Sequence, residues 1–304
     1  MITGGAGFIG SALARRLLRG NSVVVFDNFS SGSPSNFPES KKLKSIRGDI
    51  RNSTALNRAL RGAECDCVYH FAADPDVRGC TAHPRESFAI NVAGTLNVLE
   101  ACRKNDVRRL VFASSSVVYG DATRIPTPET APLAPISVYG ASKAAGEAYC
   151  AAFAETYGLR CVALRYANIF GPPSTHGVMC DFVSRLQCNP RRLEILGDGL
   201  QAKSYLYVDD ALDATLLAAR ASKKPFDAFN VGSSKKTTVK EIAGLVSASL
   251  GVTPKYLFTG GKRGWKGDVR VMLLDTRKLR SLGWREKTRL RAGVRKYVSW
   301  LARE

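Results

Sequence analysis

Ile2-Thr3-Gly4-Gly5-Ala6-Gly7-Phe8-Ile9-Gly10 opens the chain, and its reading decides the fold. An apolar stub runs into three evenly spaced glycines, and Ser11-Ala12-Leu13-Ala14-Arg15-Arg16-Leu17-Leu18 then predicts a helix with Leu13, Leu17 and Leu18 on one face. Strand, glycine turn and helix together bring backbone N–H groups and a helix N-terminus against a pyrophosphate. Glycine tolerates positive φ and close backbone approach, so Gly4, Gly7 and Gly10 each have a mechanical use. Their spacing differs from the G-x-G-x-x-G of the ordinary dinucleotide fingerprint, and taken alone it is also compatible with a flexible loop. The context decides between them. Ser22-Val23-Val24-Val25-Phe26 reads as a second strand, closed by Asp27 at about the interval of twenty residues that the fingerprint expects. An acid at that strand tip accepts from the adenine-ribose hydroxyls and repels a 2′-phosphate, which favours NAD over NADP.

The rest of the first half repeats the alternation of strand and helix. Asn28-Phe29-Ser30-Ser31-Gly32-Ser33-Pro34 is a polar loop suited to fold over an adenosine, with Asn28, Ser31 and Gly32 as cofactor candidates. Gly48-Asp49-Ile50 follows a third strand, and Asp49 is placed to accept from the adenine amino group. The fourth strand, residues 66–73, ends in Phe71-Ala72-Ala73, small enough at its tip for a flat cofactor to lie close. A long helix from Pro84 to Lys104 carries Asn91, and a fifth strand from Arg109 to Ala113 runs into Ser114-Ser115-Ser116. Such alternation implies a parallel sheet covered on both faces, with ligands at the carboxyl ends of its strands. The glycine turn, Asp27, Asp49, Ala72-Ala73 and the serines all fall on that edge.

Pro135 to Glu147 reads as a helix in which Tyr139 and Lys143 stand at i and i+4, on one face. A phenol with an ordinary pKa of ~10 is a poor base at neutral pH. An ammonium one turn away favours the phenolate, as does a cationic nicotinamide. Ser115 completes the set by orienting a substrate alcohol. A surface tyrosine over a lysine stem would give the same spacing, so the pair gains its meaning from the dinucleotide motif upstream.

Together these residues resemble the extended short-chain dehydrogenase/reductases, and among them the sugar-nucleotide epimerases of the NAD-dependent epimerase/dehydratase family. The resemblance rests on Thr3–Gly10, Asp27-Asn28, Asp49-Ile50, Ser114-Ser115-Ser116-Val117-Val118-Tyr119-Gly120, Tyr139-x-x-x-Lys143 and Arg165-Tyr166-Ala167-Asn168-Ile169-Phe170-Gly171-Pro172. It implies a doubly wound parallel Rossmann sheet over residues 1–165, to which 206–233 return. A smaller α/β lobe from 166–205 and 234–304 would bind a nucleotide sugar. It further implies NAD as cofactor, interconversion of UDP-glucose and UDP-galactose by transient oxidation at C4, and a homodimer formed through the helices Pro84–Lys104 and Pro135–Tyr157.

Counting back from Tyr119-Gly120 puts the family's catalytic hydroxyl on Ser115. Related dehydratases carry an Asp-Glu pair directly after it and related decarboxylases a Glu two positions on; here those positions hold Ser116 and Val117. Phe8, Ile9, Ile50, Phe71, Asn91, Ser114 and Ala167 join the cofactor contacts by the same resemblance. For the substrate, the resemblance implies Asn168 at the diphosphate, Gly177-Val178 and Glu194-Ile195-Leu196 along the uridine, and Arg263 and Asp268 as a phosphate- and ribose-binding pair. Lys203 stands where an arginine is usual and lacks its bidentate fork, so a solvated loop charge is an equal alternative. The residue four beyond the ribose-binding acid gates the sugar's C2 substituent in the family. Here that is Met272, with ordinary core filling the competing explanation.

Composition bounds the alternatives. At 304 residues the chain can bury a large core. It contains no apolar run long enough to span a membrane. The opening strand has no secretory leader, so a cytoplasmic enzyme is expected, and the strand's shortness suggests residues upstream of Met1. Eight cysteines show no metal-type pairing, and reduced thiols and no metal are expected. The net charge of +19 suits a nucleic-acid binder or a solvated basic surface. The cations from Arg277 to Lys296 alternate with Leu279, Leu282, Trp284, Leu290 and Val294, as amphipathic helices do, which favours the solvated surface and no nucleic-acid partner. A related epimerase or reductase acting on another sugar nucleotide, such as UDP-glucuronate, is the nearest alternative. A non-catalytic nucleotide or RNA binder would have no need of Ser115, Tyr139 and Lys143.

Overall fold

The computed structural model describes residues 1–265 and 267–303, which form two compact units. The first comprises Met1–Gly120, Pro132–Arg165 and Thr215–Phe229. Its centre is a seven-stranded parallel sheet built from β1 (Ile2–Thr3), β2 (Val23–Asp27), β3 (Leu43–Arg47), β4 (Cys67–His70), β5 (Arg109–Ser115), β6 (Arg160–Tyr166) and, late in the chain, Phe226–Val231. Across the sheet the order is Phe226–Val231, β6, β5, β4, β1, β2, β3. The chain winds outward from β1 through β2 to β3, then returns to β4 on the other side of β1. The direction therefore reverses between β1 and β4, and the crevice at their carboxyl ends is where such sheets bind ligands.

Residues buried on both faces of the sheet give near-continuous apolar strands. Leu110, Val111, Phe112 and Ala113 of β5 are all buried, as are Cys161 to Leu164 of β6. The helix Val138–Tyr157 packs so closely on β5 that a Cβ at Gly146 would lie 2.4 Å from the Phe112 ring. This helix begins at Val138, capped by Ser137, whose hydroxyl accepts from the Gly140 N–H at 3.0 Å.

Three elements differ from the expectation. On the first helix, Phe8–Leu17, the buried face is Gly10, Ser11, Leu13 and Ala14, while Leu17 and Leu18 are only half-buried. Gly10 lies on that face because it presses on the glycine turn itself. The fourth strand stops at His70, since the glycine turn packs against Ala72. The long helix from Pro84 to Lys104 is broken into Pro84–Phe88, a π-turn at Ala89–Ala93 and Gly94–Lys104. π-turns insert a residue and often mark functional sites, and this one carries Asn91.

The second unit comprises Asp121–Ala131, Tyr166–Ala214 and Asn230–Glu304. Ala202–Tyr207 organises it, pairing parallel with Asn168–Phe170 and Val271–Met272 and antiparallel with Lys236–Thr238. Lys255–Phe258 pairs with Arg192–Ile195. Two boundaries differ from the sequence reading. Residues 121–131 belong here because Thr127 exchanges backbone hydrogen bonds with Leu273 and Asp275, and Glu129 accepts from Asn230. The returning stretch starts at Thr215 rather than 206, because Ala202–Tyr207 belongs to the second unit's own sheet. The C-terminal helix Leu290–Leu301 buries Val294, Tyr297 and Val298 and exposes Arg291, Arg295 and Lys296, the amphipathic pattern its sequence suggests. Among the described residues no helix is long and apolar enough to cross a membrane, and all eight cysteines are free thiols.

Candidate active site

The glycine turn leaves β1 with Gly4 at φ +67°, a conformation that disfavours side chains. A Cβ there would sit 2.4 Å from the Ala72 nitrogen, and one at Gly10 would sit 2.3 Å from the Gly4 carbonyl oxygen. These two glycines are therefore required by packing. Gly7 is different: its φ is −75°, and an added Cβ would meet only the Gly4 oxygen, at 3.4 Å. It is the N-cap of the helix Phe8–Leu17, with no side-chain cap and no acid in the first turn. The first-turn N–H groups of Phe8, Ile9 and Gly10 lack intrahelical acceptors by geometry. A backbone cradle without side chains, at a helix N-terminus, fits a pyrophosphate.

Asp27 is buried at the tip of β2. One carboxylate oxygen accepts from the Ala6 N–H at 2.8 Å and the other from the Phe29 N–H at 2.7 Å. It thus ties the glycine turn to the loop after β2, and each oxygen retains acceptor capacity for a ribose hydroxyl. Ser31 is exposed on that loop, and Gly32 lies against Ala6, where a Cβ would come within 2.4 Å of the backbone. Asp49 carries more partners than the sequence suggested. Its carboxylate accepts from the Arg51 side chain at 2.7 and 3.0 Å, from the Arg51 N–H and from the Asn28 amide. Arg51 holds its pKa down at about 2. Ile50 beside it is buried.

Beyond β4, Phe71, Ala72, Ala73 and Asp74 are half-buried. Asn91, delivered by the π-turn, accepts from the Asp74 N–H at 2.8 Å and donates to the Asp74 carbonyl at 3.0 Å and to the Ser142 hydroxyl at 3.2 Å. It fixes the segment after β4 onto the helix that carries Tyr139 and Lys143. His70 is also buried here, its ring bridging Thr3 at 2.7 Å and Thr95 at 2.9 Å. Burial pushes its pKa down to about 3, so it is a neutral spacer.

Ser115 ends β5, where its hydroxyl accepts from the Val117 N–H at 3.5 Å and favours the ionised form of the Tyr139 phenol. Lys143, one turn along, is buried, with its ammonium 5.7 Å from the Tyr139 ring centre and 5.0 Å from that of Phe112. The three expected catalytic residues therefore lie together at the carboxyl end of the sheet. Their titration departs from the expectation. Burial raises the Tyr139 phenol, with smaller contributions from the thiol of Cys80 and the carboxylate of Asp74, while Ser115 pulls the other way. Burial also lowers Lys143 to about 8. In the protein alone desolvation holds the phenol protonated, and a further cation such as an oxidised nicotinamide would favour its ionisation.

In the second unit, Ala167 donates its N–H to the Val231 carbonyl, and Asn168 donates its side chain to the Ser204 carbonyl at 3.1 Å. Lys203 pairs directly with buried Asp268 and lies over the Trp265 indole at 5.0 Å. Arg263 donates to the Asp268 carbonyl at 3.0 Å and to the Asp121 carboxylate at 2.7 Å. Met272 sits on the strand beside Lys203 and is half-buried. Lys203, Arg263, Asp268 and Met272 are thus brought together, while Lys266 lies outside the described residues. Gly177, at φ +93°, caps the helix Val178–Cys188 without a side-chain bond, and Val178 is half-buried. Ile195, expected along the uridine, is fully buried and its carbonyl accepts from the Thr259 N–H at 3.1 Å, so it presents no surface to a ligand. The sequence reading missed Asp121 and Trp265, whose partners Arg263 and Lys203 are set by tertiary contact, and Arg51, whose i+2 spacing from Asp49 was the available signal.

Glycine cradle, strand-tip acid and the Ser115-Tyr139-Lys143 group define a nucleotide-dependent oxidoreductase-type site on a doubly wound sheet. The model of the NAD dependent epimerase/dehydratase family matches residues 1–232, and the chain belongs to that family. A crystal structure of a UDP-galactose 4-epimerase is 45% identical, covers 99% of this chain and 98% of its own, and superposes with a TM-score of 0.89. A UDP-glucose 4-epimerase from Thermotoga maritima, solved with UDP-glucose, is 33% identical, with the same coverage and a TM-score of 0.92. A UDP-glucose 4-epimerase from Thermus thermophilus, solved with NAD, is 36% identical over 99% of this chain and 98% of its own, with a TM-score of 0.90. The cofactor is NAD, and the uncapped cradle and Asp27 are the residues of this chain that fit it.

Proposed function

We propose that the protein is a UDP-hexose 4-epimerase that interconverts UDP-glucose and UDP-galactose. The observation that carries this reading is the grouping of Ser115, Tyr139 and Lys143 at the strand edge that also bears the glycine cradle. NAD, when bound, supplies reversible hydride acceptance. The first unit is then the cofactor domain, and the second is the nucleotide-sugar lobe. Tyr139 takes the proton from the C4 hydroxyl and returns it after the keto sugar has turned. Ser115 holds the reacting oxygen toward the phenol. Lys143 binds ribose hydroxyls and supplies one of the positive charges that the buried phenolate needs. Asn168, Arg263, Lys203 and Asp268 hold the nucleotide, with Lys203 and Asp268 exchanging their mutual bond for diphosphate and ribose. Nucleotide anchoring lets the sugar rotate without leaving.

Ser116 and Val117 follow Ser115, so neither of the acids used by related dehydratases and decarboxylases is present. Epimerisation needs no such acid. Met272, flexible and half-buried, favours UDP-glucose and UDP-galactose with weaker activity on the N-acetylated pair. A cytoplasmic homodimer completes the reading. On the helices Pro84–Phe88 and Val138–Tyr157, Phe88, Ala141, Ala148, Tyr149 and Ala152 are exposed, a small and apolar surface of the kind a partner copy covers. Offering UDP-galactose to the purified protein should yield UDP-glucose. Tyr139→Phe should lose roughly 10²–10⁴-fold in turnover while retaining NAD. No product from the wild-type protein, or unchanged turnover in the variant, would remove this reading.

A further inference from the structure

A buried ion pair lies directly behind the catalytic group and takes no part in the chemistry described above. Glu147 is one turn beyond Lys143 and two beyond Tyr139 on the same helix, and it is 3% exposed. Its carboxylate accepts from Arg165 at 2.6, 3.0 and 3.1 Å, and from the hydroxyl of Ser114, the residue before Ser115. Arg165, at the end of β6, also donates to the Tyr119 phenol at 2.7 Å and lies over that ring at 4.9 Å. Tyr119 ends the short turn that leads on from Ser115. Every one of these side chains is buried.

A buried pair of this kind often contributes little net stability, because desolvation offsets the attraction, and apolar residues of similar volume can replace it. What an apolar pair cannot do is fix direction. The bidentate guanidinium–carboxylate geometry sets angles as well as distance, and here it spans the strand tip on one side of Ser115, the turn on the other, and the catalytic helix.

We propose that Glu147 and Arg165 are positioning residues that hold Ser115 in register with Tyr139, so that the serine hydroxyl reaches the phenol. This rests on the reading of Tyr139 and Ser115 as the reacting residues. Ser115 joins the strand to the turn, and the Ser114 bond to Glu147 on one side and the Arg165 bond to Tyr119 on the other hold the chain that carries it. The groups facing the Tyr139 phenol are Ser115 from the strand, Lys143 from its own helix, and Cys80 and Asp74 from the segment after β4. Of these, Ser115 carries the hydroxyl that can donate to the ionised phenol and favour it. A displaced strand tip withdraws that donor and leaves the phenol harder to ionise.

The double variant Glu147→Leu/Arg165→Met removes both charges and keeps the volume. Glu147→Asp keeps the charge and withdraws the carboxylate from Ser114. Both are compared with wild type as NAD-loaded enzyme, by thermal unfolding, by kcat and KM for UDP-galactose, and by NMR titration of tyrosine labelled at ¹³Cζ, with Tyr139→Phe assigning the resonance. We expect the double variant to unfold near the wild-type temperature. We expect kcat to fall by about 10²-fold, the loss that a displacement of order 1 Å causes. KM should stay within about twofold, and Tyr139 should titrate at higher pH. A double variant with wild-type stability, kcat within a fewfold of wild type and an unmoved Tyr139 titration overturns the proposal. If the double variant fails to fold, Glu147→Asp decides: full activity and an unmoved titration overturn it. A wild-type protein inactive on UDP-galactose would sink the functional reading, while the NMR titration would still judge the positioning.

Discussion

Lys143 shows how little of a residue's chemistry its identity settles. The i and i+4 spacing to Tyr139 was legible, and so was the serine at the strand end. The direction of the titrations was not, because it depends on desolvation where the helix packs on β5 at the Gly146–Phe112 contact, with Lys143 buried and Tyr139 half-buried. Lys143 has its folded pKa lowered from 10.5 to about 8. The unfolded chain therefore binds a proton between those values that the folded protein does not, and stability rises with pH across that window. The cost is fully present below about pH 8 and disappears above the unfolded value. Between pH 8 and 10 the wild type should gain about 2 kcal/mol relative to Lys143→Met. Denaturant unfolding of both proteins at the two pH values measures it, and parallel curves would show that Lys143 is not desolvated. Met272 belongs to the same scale. Met272→Ala should raise activity on UDP-N-acetylglucosamine relative to UDP-glucose, and Met272→Tyr should lower it. An unmoved ratio in both would return Met272 to plain core packing.

At the scale of elements, the alternation of strands and helices carried the fold, because central strands such as β5 and β6 are buried on both faces and read as apolar runs. Glycine spacing located the turn but did not distinguish the roles within it. Gly10 fills a backbone contact, whereas a Cβ at Gly7 would meet only the Gly4 oxygen, at an ordinary van der Waals distance of 3.4 Å. Gly10→Ala should therefore destabilise the fold by about 1–3 kcal/mol through overpacking. Gly7→Ala should melt like wild type yet bind NAD at least about tenfold more weakly, since its methyl enters the cradle. Thermal shift and NAD titration of the two variants separate these effects, and equal melting losses in both would contradict the assignment. The π-turn at Ala89–Ala93 was not legible, since helical periodicity continues through it. Its signal is tertiary: Asn91 turns inward because Asp74 and Ser142 satisfy its amide. The Glu147–Arg165 pair escaped notice for the same reason. Its partners sit on a helix and a strand, and nothing in the local sequence joins them.

For the whole molecule, the two units divide the chain's chemistry. The first holds the glycine cradle with Ser115, Tyr139 and Lys143, and the second holds Lys203, Arg263, Asp268 and Met272. The sequence reading put 1–165 and 206–233 in one domain and 166–205 and 234–304 in the other. It misassigned 121–131, whose membership is decided by hydrogen bonds to residues some hundred or more positions away. The exposed stripe on Val138–Tyr157 leads us to expect a dimer in sedimentation at micromolar protein, and monomer alone would count against it. The central claim, that the chain oxidises C4 and returns the same hydrogen to the other face, has a direct test. UDP-galactose carrying deuterium at C4 should be converted by the NAD-loaded protein, in ordinary water, to UDP-glucose with the deuterium still at C4. Deuterium replaced by solvent hydrogen at that carbon, or no UDP-glucose at all, would contradict the account.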